Sequence, residues 1–268
     1  MSINDVEDCL AVAEDRAWET TRTQWASLLR FGRGYGFDEG GQLCGTVTIF
    51  AYEDFAFVGM LLVRKRAEGL GWGRRLVEFG LAGTGGLPAA LFATELGRPL
   101  YEKIGFTERE LIAIHAGMWS GPRKTQVPVY ASNDLTIAQI DGITRADALA
   151  TGTPRPQLIA MLLATPARVA LDAGADALSY AIARERDGKT TIGPVVAADG
   201  DTALALIASL AEKTNAPLRV QLFADKVRLR ERLRECGLAC VKELPLLTRG
   251  AVPLPGPTWY GIATKATG

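Results

Sequence analysis

The sequence predicts an α/β (α+β) fold that is used twice, once in each half of the chain. Short apolar strands alternate with amphipathic helices, and the order of elements in the second half follows the order in the first. Gly193 lies 134 residues after Gly59, and Gly237 lies 132 residues after Gly105, each in a matching local sequence. Because near-equal offsets indicate an internal duplication, the 268 residues are predicted to form two small domains.

Composition excludes several classes of protein. The chain carries 30 Lys and Arg against 30 Asp and Glu, and this zero net charge argues against general binding to nucleic acid or an anionic membrane. Its apolar stretches are far shorter than the roughly 20 residues that a membrane span needs. The first ten residues contain neither a basic region nor an apolar run, so they do not predict a secretory signal. We expect a cytoplasmic protein without a nucleic-acid or membrane partner.

Cysteine and histidine content argues against metal and triad chemistry. Among the four cysteines only Cys236 and Cys240 lie close in sequence, and the single histidine, His115, is far from them. We therefore predict no metal site and four reduced thiols. His115 falls in a predicted strand, and no nucleophile elbow occurs in the chain, so a packed histidine is favoured over a member of a Ser-His-Asp triad.

Periodicity and turn residues give the elements of each half. For the first half we predict, in chain order, helices at 5–18 and 20–30, strands at 42–52 and 55–63, a helix carrying Leu76, Val77 and Leu81, a strand at 88–94, a helix at 96–103 and a strand at 105–116. For the second half we predict helices at 144–149, 156–164, 202–213 and 226–235 and strands at 167–171, 177–184, 190–196, 218–223 and 238–247. A polar, proline-flanked linker at 121–128 predicts domains at residues 1–122 and 123–268.

A glycine-rich turn is predicted between the buried strand at 55–63 and the helix that follows it. Gly69, Gly71 and Gly73 occupy alternate positions there. Glycines let the backbone approach a ligand closely, and the free N–H groups at a helix start bind anions, so the turn is a candidate phosphate site. The Gly-x-Gly-x-Gly spacing does not match the dinucleotide-binding pattern, and Gly73 is followed by two arginines rather than by the Lys of a nucleotide triphosphate loop.

The surrounding residues resemble the GCN5-related N-acetyltransferase (GNAT) superfamily. The resemblance lies in the run Val58-Gly-Met-Leu-Leu-Val, the three alternate glycines, and the later run Leu100-Tyr-Glu-Lys-Ile-Gly-Phe; it is specific over 42–106 and weaker over 130–247. It implies a tandem GNAT-like acyl-CoA N-acyltransferase fold, with a mixed, mostly antiparallel sheet flanked by helices in each half. It also implies acetyl-CoA as the cofactor, with coenzyme A as the product.

The resemblance places the cofactor along the buried strand and the turn. Backbone groups of the strand would contact the pantetheine arm and the thioester carbonyl, and the turn would grip the pyrophosphate. The cofactor-binding residues implied in this way are Met60, Leu61, Leu62, Val63, Arg66, Gly69, Leu70, Gly71, Trp72, Gly73, Arg74 and Thr94.

Two residues are candidates for catalysis. Tyr101 matches the position where the family carries a tyrosine near the coenzyme sulfur, which implies a general acid for the leaving thiolate; its alternative role is helix packing beside Phe106. Glu53 is a candidate for receiving the proton of the acceptor amine through water, and its alternative is a solvent-exposed turn carboxylate. A preorganised backbone N–H would stabilise charge that builds on the thioester oxygen.

The sequence departs from the family pattern at two cofactor-side positions. Glu68 stands where Gln or Arg is usual, and Thr94 stands where Asn is common. A carboxylate near a pyrophosphate is repulsive, so Glu68 is expected to point away or to be offset by Arg66, Arg74 or Arg75. The family's first strand is also expected to be missing or shortened.

The second half keeps the layout but lacks the residues for chemistry. Gly200 is the only glycine in its turn, and Leu233 occupies the tyrosine position, which predicts a degenerate GNAT-like domain without a second coenzyme site. The predicted function is acetyl transfer to a primary amine of a small molecule by direct attack on the thioester, in a monomer or homodimer. The alternatives are a non-catalytic acyl-CoA-binding or regulatory protein, and a tandem acyltransferase acting on an aminosugar conjugate.

Overall fold

The computed structural model describes residues 1–122, 127–174, 178–253 and 256–268. This part of the chain forms two compact units. Unit 1 consists of Met1–Arg109, Leu246–Val252 and Lys265–Gly268, and unit 2 consists of Glu110–Pro245 and Pro253–Thr264. The domain boundary at residues 122 and 123 stays a prediction, and residues 123–126 of its linker lie outside the described residues.

The elements follow one another in a mixed α/β order. From the N-terminus they are α1 (Val6–Asp15), α2 (Arg22–Phe31), β1 (Arg33–Glu39), β2 (Gln42–Ala51), β3 (Ala56–Val63), α3 (Trp72–Ala82), β4 (Ala89–Phe92), α4 (Arg98–Lys103) and β5 (Thr107–Gly117). They continue with β6 (Val129–Ala131), α5 (Ile137–Thr151), α6 (Pro156–Leu163), β7 (Arg168–Ala173), β8 (Leu178–Arg186), β9 (Lys189–Val196), α7 (Gly200–Ala211), β10 (Leu218–Phe223), α8 (Val227–Glu235), β11 (Ala239–Arg249) and β12 (Trp259–Gly261).

The sheet of unit 1 has the strand order β1-β2-β3-β4-β11, where the C-terminal end of β11 supplies the last strand. Its pairings are antiparallel except for the parallel pair β3 and β4. Side chains alternate between the faces of β2: Val47 and Ile49 join the apolar core that contains α3. Helices α1 and α2 contact β1, β2 and β3.

Local sequence explains where α2 begins and which face it buries. The Thr21 side chain accepts a hydrogen bond from the Gln24 backbone N–H at 3.2 Å, which caps the helix. Trp25, Leu28 and Leu29 are buried, and their spacing of three and four residues forms one stripe. Helices α1 and α2 match the two predicted helices, and no strand of the described chain precedes them.

Strand β1 was not predicted, and its glycines explain why. Gly34 and Gly36 lower strand propensity, so the segment resembles a loop in sequence. In the structure both glycines make room for apolar neighbours: a Cβ at Gly36 would lie 2.6 Å from a Leu43 methyl, and one at Gly34 would clash with Leu29. The packing of neighbouring side chains, rather than the propensity of β1 itself, therefore favours glycine in this strand.

Unit 2 has its own apolar core. Its strands follow the order β6-β7-β8-β9-β12-β10-β5-β11, and α7 packs on the sheet with a largely apolar surface. On another part of the unit, the fully buried Arg155 binds Asp147 with two hydrogen bonds of 2.8 and 2.9 Å, and the Tyr180 hydroxyl donates to Asp147 at 2.6 Å. Pairing of this kind compensates the desolvation of buried charges.

His115 is a buried residue of β5. Its Nδ1 lies 3.2 Å from the Leu238 carbonyl oxygen, and the Arg230 Nε lies 3.4 Å from its Nε2. Burial lowers the pKa of this imidazole below its ordinary value of 6.5, so His115 packs as a neutral ring. Among the described residues, no helix has both the length and the apolar character to cross a membrane.

Candidate active site

The central feature of the candidate site is a bulge in β3. Thr48 pairs with Gly59 and Thr46 pairs with Leu62, so two residues of β3 stand opposite the single residue between the threonines. Met60, the first of those two, has φ of 49° and is the only non-glycine strand residue of unit 1 with positive φ. A left-handed conformation is unfavourable for a residue with a Cβ, so the surrounding structure holds Met60 in place.

The sheet opens beside this bulge. In the described chain, β3 pairs with β4 only at Ala56 with Ala89 and at Phe57 with Ala90. Beyond these pairs, residues 58–63 of β3 have no paired strand of the described chain on the edge that faces β4. Backbone N–H and C=O groups need partners, and an edge released in this way can offer them to an extended ligand. Met60, Leu61, Leu62 and Val63 all lie on it.

The turn between β3 and α3 ends in an uncapped helix start. Gly69 and Gly71 have φ of 78° and 80°, and Gly71 is the N-cap residue of α3 without a side-chain cap. The first hydrogen bond of the helix runs from the Arg75 N–H to the Gly71 carbonyl. The N–H groups of the preceding helical residues therefore have no partner within the helix and point, with the positive end of its dipole, toward the turn.

The first turn of α3 also carries an aromatic and cationic group. Trp72 stacks on Phe37 with ring centroids 4.2 Å apart, and the Arg75 guanidinium lies 4.9 Å from the Trp72 ring centre. Arg74 is exposed and binds Glu78 within the helix at 2.8 Å. Gly73 has a steric role, because a Cβ there would lie 2.9 Å from a methyl group of Leu100 in α4.

Two charged side chains of the turn are held by neighbours that the sequence did not indicate. Glu68 forms an ion pair with Arg16 at 2.7 Å rather than with Arg66, Arg74 or Arg75, and Arg16 lowers the pKa of its carboxyl. The Arg66 guanidinium lies 2.8 Å from the Cys44 sulfur. Leu70 is exposed. Arg16 therefore neutralises the carboxylate that the sequence placed next to the predicted pyrophosphate site.

Tyr101 is buried in α4. It shares one apolar cluster with Leu61 and Val63 of β3 and lies edge-on to Phe106 at 5.9 Å. Burial raises the pKa of its hydroxyl above the ordinary value, so the phenol stays protonated throughout the neutral range. Thr94 lies near the beginning of the loop between β4 and α4, and its hydroxyl accepts a hydrogen bond from the Gly97 N–H at 3.1 Å, which fixes the start of α4.

Glu53 lies apart from this group. It is exposed in the turn between β2 and β3, and the four-residue step from Ala56 to Met60 spans about 13 Å of strand. The structure brings the other predicted residues to the bulge, the turn or α4, but it does not bring Glu53 to them. Its catalytic role stays a prediction.

Residues 265–268 cover the face of the bulge away from α3. A Cβ at Gly59 would lie 2.5 Å from the Ala266 carbonyl oxygen. The buried Tyr52 hydroxyl donates to the Thr267 carbonyl at 2.6 Å, and the Lys265 ammonium lies 5.1 Å from the Trp18 ring centre. All of these residues belong to unit 1. They form a wall close to the strand position that precedes Met60.

Unit 2 contains the counterparts of the bulge and of the helix start. In its hairpin, Ala183 pairs with Ile192 and Ala181 pairs with Val195, which places Gly193 at the position of Met60. The sequence comparison matched Gly193 with Gly59 instead and was therefore wrong by one residue in register. Strands β9 and β10 pair directly at residues 190–192 and 218–220, and beyond these residues β12 lies between them and pairs with both. At the start of α7, the Asp199 carboxylate accepts a hydrogen bond from the Thr202 N–H at 2.8 Å. Leu233 is completely buried.

Comparison with known proteins agrees with this two-fold arrangement. The acetyltransferase (GNAT) family matches residues 3–106, and an acetyltransferase (GNAT) domain matches residues 143–261. The chain belongs to the GNAT acetyltransferase family. The prediction of a tandem GNAT fold is thereby confirmed.

Relatives cover nearly the whole length of this GNAT protein. The uncharacterized N-acetyltransferase YitH of Bacillus subtilis is 24% identical over 246 residues, which are 90% of this chain and 87% of the relative. A crystal structure of a putative acetyltransferase from Pyrococcus horikoshii matches with a TM-score of 0.78 and 19% identity, covering 100% of this chain and 94% of the other. A tandem GNAT protein from the clavulanic acid biosynthesis pathway matches with a TM-score of 0.67 and 14% identity, over 96% and 98% of the two chains.

Sequence reasoning missed three residues that shape the site. Thr46 donates a buried hydrogen bond to the Met60 carbonyl at 2.9 Å, Phe37 stacks on Trp72, and Arg16 pairs with Glu68. Threonines at alternate positions of an otherwise apolar strand were the available signal for Thr46. Phe37 and Arg16 lie in other elements, far from their partners in sequence, so no local spacing indicates them.

Proposed function

We propose that unit 1 is an acetyl-CoA-dependent N-acetyltransferase that transfers an acetyl group to a primary amine of a small molecule. One observation carries the proposal: a strained bulge released from strand pairing and an uncapped helix start occur together in one unit of a GNAT protein. The first offers backbone groups to an extended acyl chain, and the second offers N–H groups to an anion.

The described residues fit the cofactor in shape and charge. A Cβ at Gly69 or Gly71 would meet no atom within 4 Å, so these glycines serve backbone conformation and leave space beside the turn. We assign the pyrophosphate to Gly69, Leu70, Gly71, Trp72, Gly73 and Arg74, with Arg66 at the edge of the turn. We assign the pantetheine arm and the acyl carbonyl to the backbone of residues 60–63. Thr94 contributes by fixing the start of α4.

When bound, acetyl-CoA supplies a thioester whose carbonyl carbon an amine can attack and whose sulfur can leave as a thiolate. Along residues 60–63, a backbone N–H fixed by the bulge would donate to the carbonyl oxygen as negative charge develops. The new bond joins the amine nitrogen to the acetyl carbon, and the bond that breaks is the carbon–sulfur bond. The amine proton leaves to water, where Glu53 would receive it.

We propose that Tyr101 donates a hydrogen bond to the departing sulfur. Its raised pKa keeps the hydroxyl neutral and available as a donor. A thiol is ordinarily more acidic than such a phenol, so a hydrogen bond from a retained proton stabilises the thiolate, and complete proton transfer is not required. The sulfur then takes its proton from solvent as coenzyme A leaves.

The wall over Gly59 supports a compact acceptor. Residues 265–268 are held over the bulge by Tyr52 and Trp18, on the face of the sheet opposite the apolar core that contains Tyr101. A bulky acceptor would have to displace this wall before its amine reached the thioester. A small primary amine would not.

Release of free thiol from acetyl-CoA, measured over a panel of amino sugars, polyamines and amino acids, tests the proposed function. We expect acceptor-dependent release with at least one compact amine and an acetylated product by mass spectrometry. Binding of acetyl-CoA without release for any amine would favour the alternative of a non-catalytic acyl-CoA-binding protein. An absence of binding at millimolar acetyl-CoA would overturn both.

A further inference from the structure

We propose that Thr46 is a positioning residue for acetyl transfer: its buried hydroxyl holds the Met60 carbonyl and thereby the bulge that is to meet the thioester. The inference rests on the proposed function of unit 1. It adds a residue from the neighbouring strand that neither the GNAT motif nor the glycine turn contains.

The contact that carries the inference lies inside unit 1. Thr46 is completely buried, and its Oγ1 donates to the Met60 carbonyl oxygen at 2.9 Å. The bond crosses from β2 to β3 at the bulge itself. Met60 is the residue in the unfavourable left-handed conformation, and such a conformation persists only where neighbouring groups fix it. The Thr46 hydroxyl is a group that does so directly.

Unit 2 provides an internal comparison for this contact. The register of its hairpin places Ala181 at the position of Thr46 and Gly193 at the position of Met60. Gly193 has φ of 159°, close to extended backbone and far from the left-handed value of Met60, so this bulge holds no residue in the left-handed conformation, and Ala181 offers no hydroxyl to anchor it. The strained non-glycine residue and the hydroxyl that anchors it therefore occur together in unit 1 and are both missing from the equivalent positions of unit 2.

Unit 1 also provides a matched control. Thr48 lies two residues along β2 on the same face as Thr46 and is equally buried. Within the described residues, its hydroxyl has no hydrogen-bond partner. Thr46→Val and Thr48→Val thus make the same chemical change at the same depth, but only the first removes a bond to the bulge.

Three readouts in the full-length protein test the role of Thr46. For Thr46→Val we expect kcat to fall about tenfold, the loss expected from one buried hydrogen bond, while the Kd of coenzyme A stays within about twofold because the pyrophosphate contacts remain. Amide hydrogen exchange at residues 60–62 of the ligand-free protein should become at least about fivefold faster. Thr46→Ser, which keeps the hydroxyl, should stay within about threefold of the wild-type kcat.

The control decides between positioning and general stability. Thr48→Val should leave kcat and exchange at residues 60–62 near wild-type values. Equal losses of kcat in Thr46→Val and Thr48→Val, unchanged exchange at the bulge in Thr46→Val, or a failure of Thr46→Ser to restore activity would each overturn the proposal.

The same variants separate this inference from the proposed function. If the wild-type protein binds acetyl-CoA but acetylates no amine, a selective loss of acetyl-CoA affinity relative to coenzyme A in Thr46→Val supports the role of Thr46, and an unchanged ratio overturns it. If the wild-type protein binds neither compound, the proposed function fails, and hydrogen exchange still supports or overturns the anchoring of the bulge by Thr46.

Discussion

Unit 1 and unit 2 contain the same bulged hairpin followed by a helix, and they differ in what lies beside it. In unit 1, pairing between β3 and β4 stops at Phe57, and the rest of that strand edge is released. In unit 2, β12 occupies the corresponding place: Gly261 pairs with Val195 on one side and with Leu222 on the other. A segment of the chain itself thus takes the backbone positions that unit 1 leaves for a ligand.

The helix starts show the same contrast. Gly71 gives α3 no side-chain cap, whereas Asp199 places a carboxylate on the first turn of α7. The hydrogen bond from Thr202 lowers the pKa of that carboxyl, so it is ionised at neutral pH and would repel a phosphate. The strand edge and the helix start are thus filled by protein in unit 2 and open in unit 1, which is where we propose the acyl-CoA site.

Replacement of Tyr101 should have the largest effect, because it removes the donor to the leaving sulfur and leaves the binding surfaces in place. For Tyr101→Phe we expect kcat to fall about 100-fold and the Kd of acetyl-CoA to stay within about twofold. Steady-state thiol release and calorimetry measure the two quantities. Tyr260→Phe, at a partly buried tyrosine of unit 2, is the matched control and should retain wild-type kcat. A Tyr101→Phe enzyme with at least half the wild-type kcat would remove Tyr101 from the mechanism.

Exchange of the helix caps between the units should have the next largest effect. In Gly71→Asp, a carboxylate would lie beside the N–H groups at the start of α3, and a side chain at φ of 80° would also strain the turn. For both reasons we expect the Kd of acetyl-CoA to rise at least about tenfold, or 1.4 kcal/mol. Asp199→Ala should instead lower the free energy of unfolding by about 1 kcal/mol without changing that Kd. Calorimetry and urea unfolding check the pair. Weaker binding of acetyl-CoA in Asp199→Ala than in Gly71→Asp would show that the coenzyme site lies in unit 2 and not in unit 1.

Mild acid should destabilise the protein through unit 2. Burial lowers the pKa of His115 in the folded state, with Arg230 and Glu243 as its charged neighbours. In the unfolded chain the imidazole binds a proton at about pH 6.5. The contribution of the neutral His115 to the free energy of unfolding is therefore complete above that pH and is lost as the pH falls toward the folded-state pKa. Through this one group, the free energy of unfolding cannot change by more than about 1.4 kcal/mol per pH unit. The free energy of unfolding, measured with urea at pH 7.5 and 5.5, should change less between the two pH values in His115→Gln than in the wild type. Equal changes would exclude His115 as the cause.

Replacement of Glu53 should have the smallest effect. Because this exposed carboxylate reaches the acceptor only through water, we expect Glu53→Gln to lower kcat about threefold. Asp54→Asn, which changes the neighbouring exposed carboxylate of the same turn, should leave kcat unchanged. Thiol release at saturating acceptor gives both values. Wild-type kcat in Glu53→Gln would leave Glu53 with no part in proton transfer.

Local sequence predicted the parts of the site that local interactions create. The glycine turn, the start of α3 and the packing position of Tyr101 follow from spacing along one segment, and the fold class followed from the repeated order of elements. Contacts between distant segments were not predictable in this way. The Arg16–Glu68 ion pair joins α1 to the turn, and β12 is only three residues long, so neither gives a periodic pattern.

The cap of unit 2 was available in the sequence and was missed. Asp is a preferred N-cap residue, and Asp199 lies just before the helix predicted at 202–213. Strand β1 shows the opposite case. Its glycines lower strand propensity, and only the side chains of Leu29 and Leu43 explain why glycine is favoured in that strand.

The number of acetyl-CoA molecules bound per chain distinguishes a single coenzyme site in unit 1, with the equivalent place in unit 2 filled by protein, from a site in each unit. Isothermal titration of the full-length wild-type protein should give one molecule per chain. Gly71→Asp should weaken that single site, and Asp199→Ala should leave it intact. Two molecules per chain, or one site that Gly71→Asp leaves unchanged, would show that unit 1 does not hold the single coenzyme site.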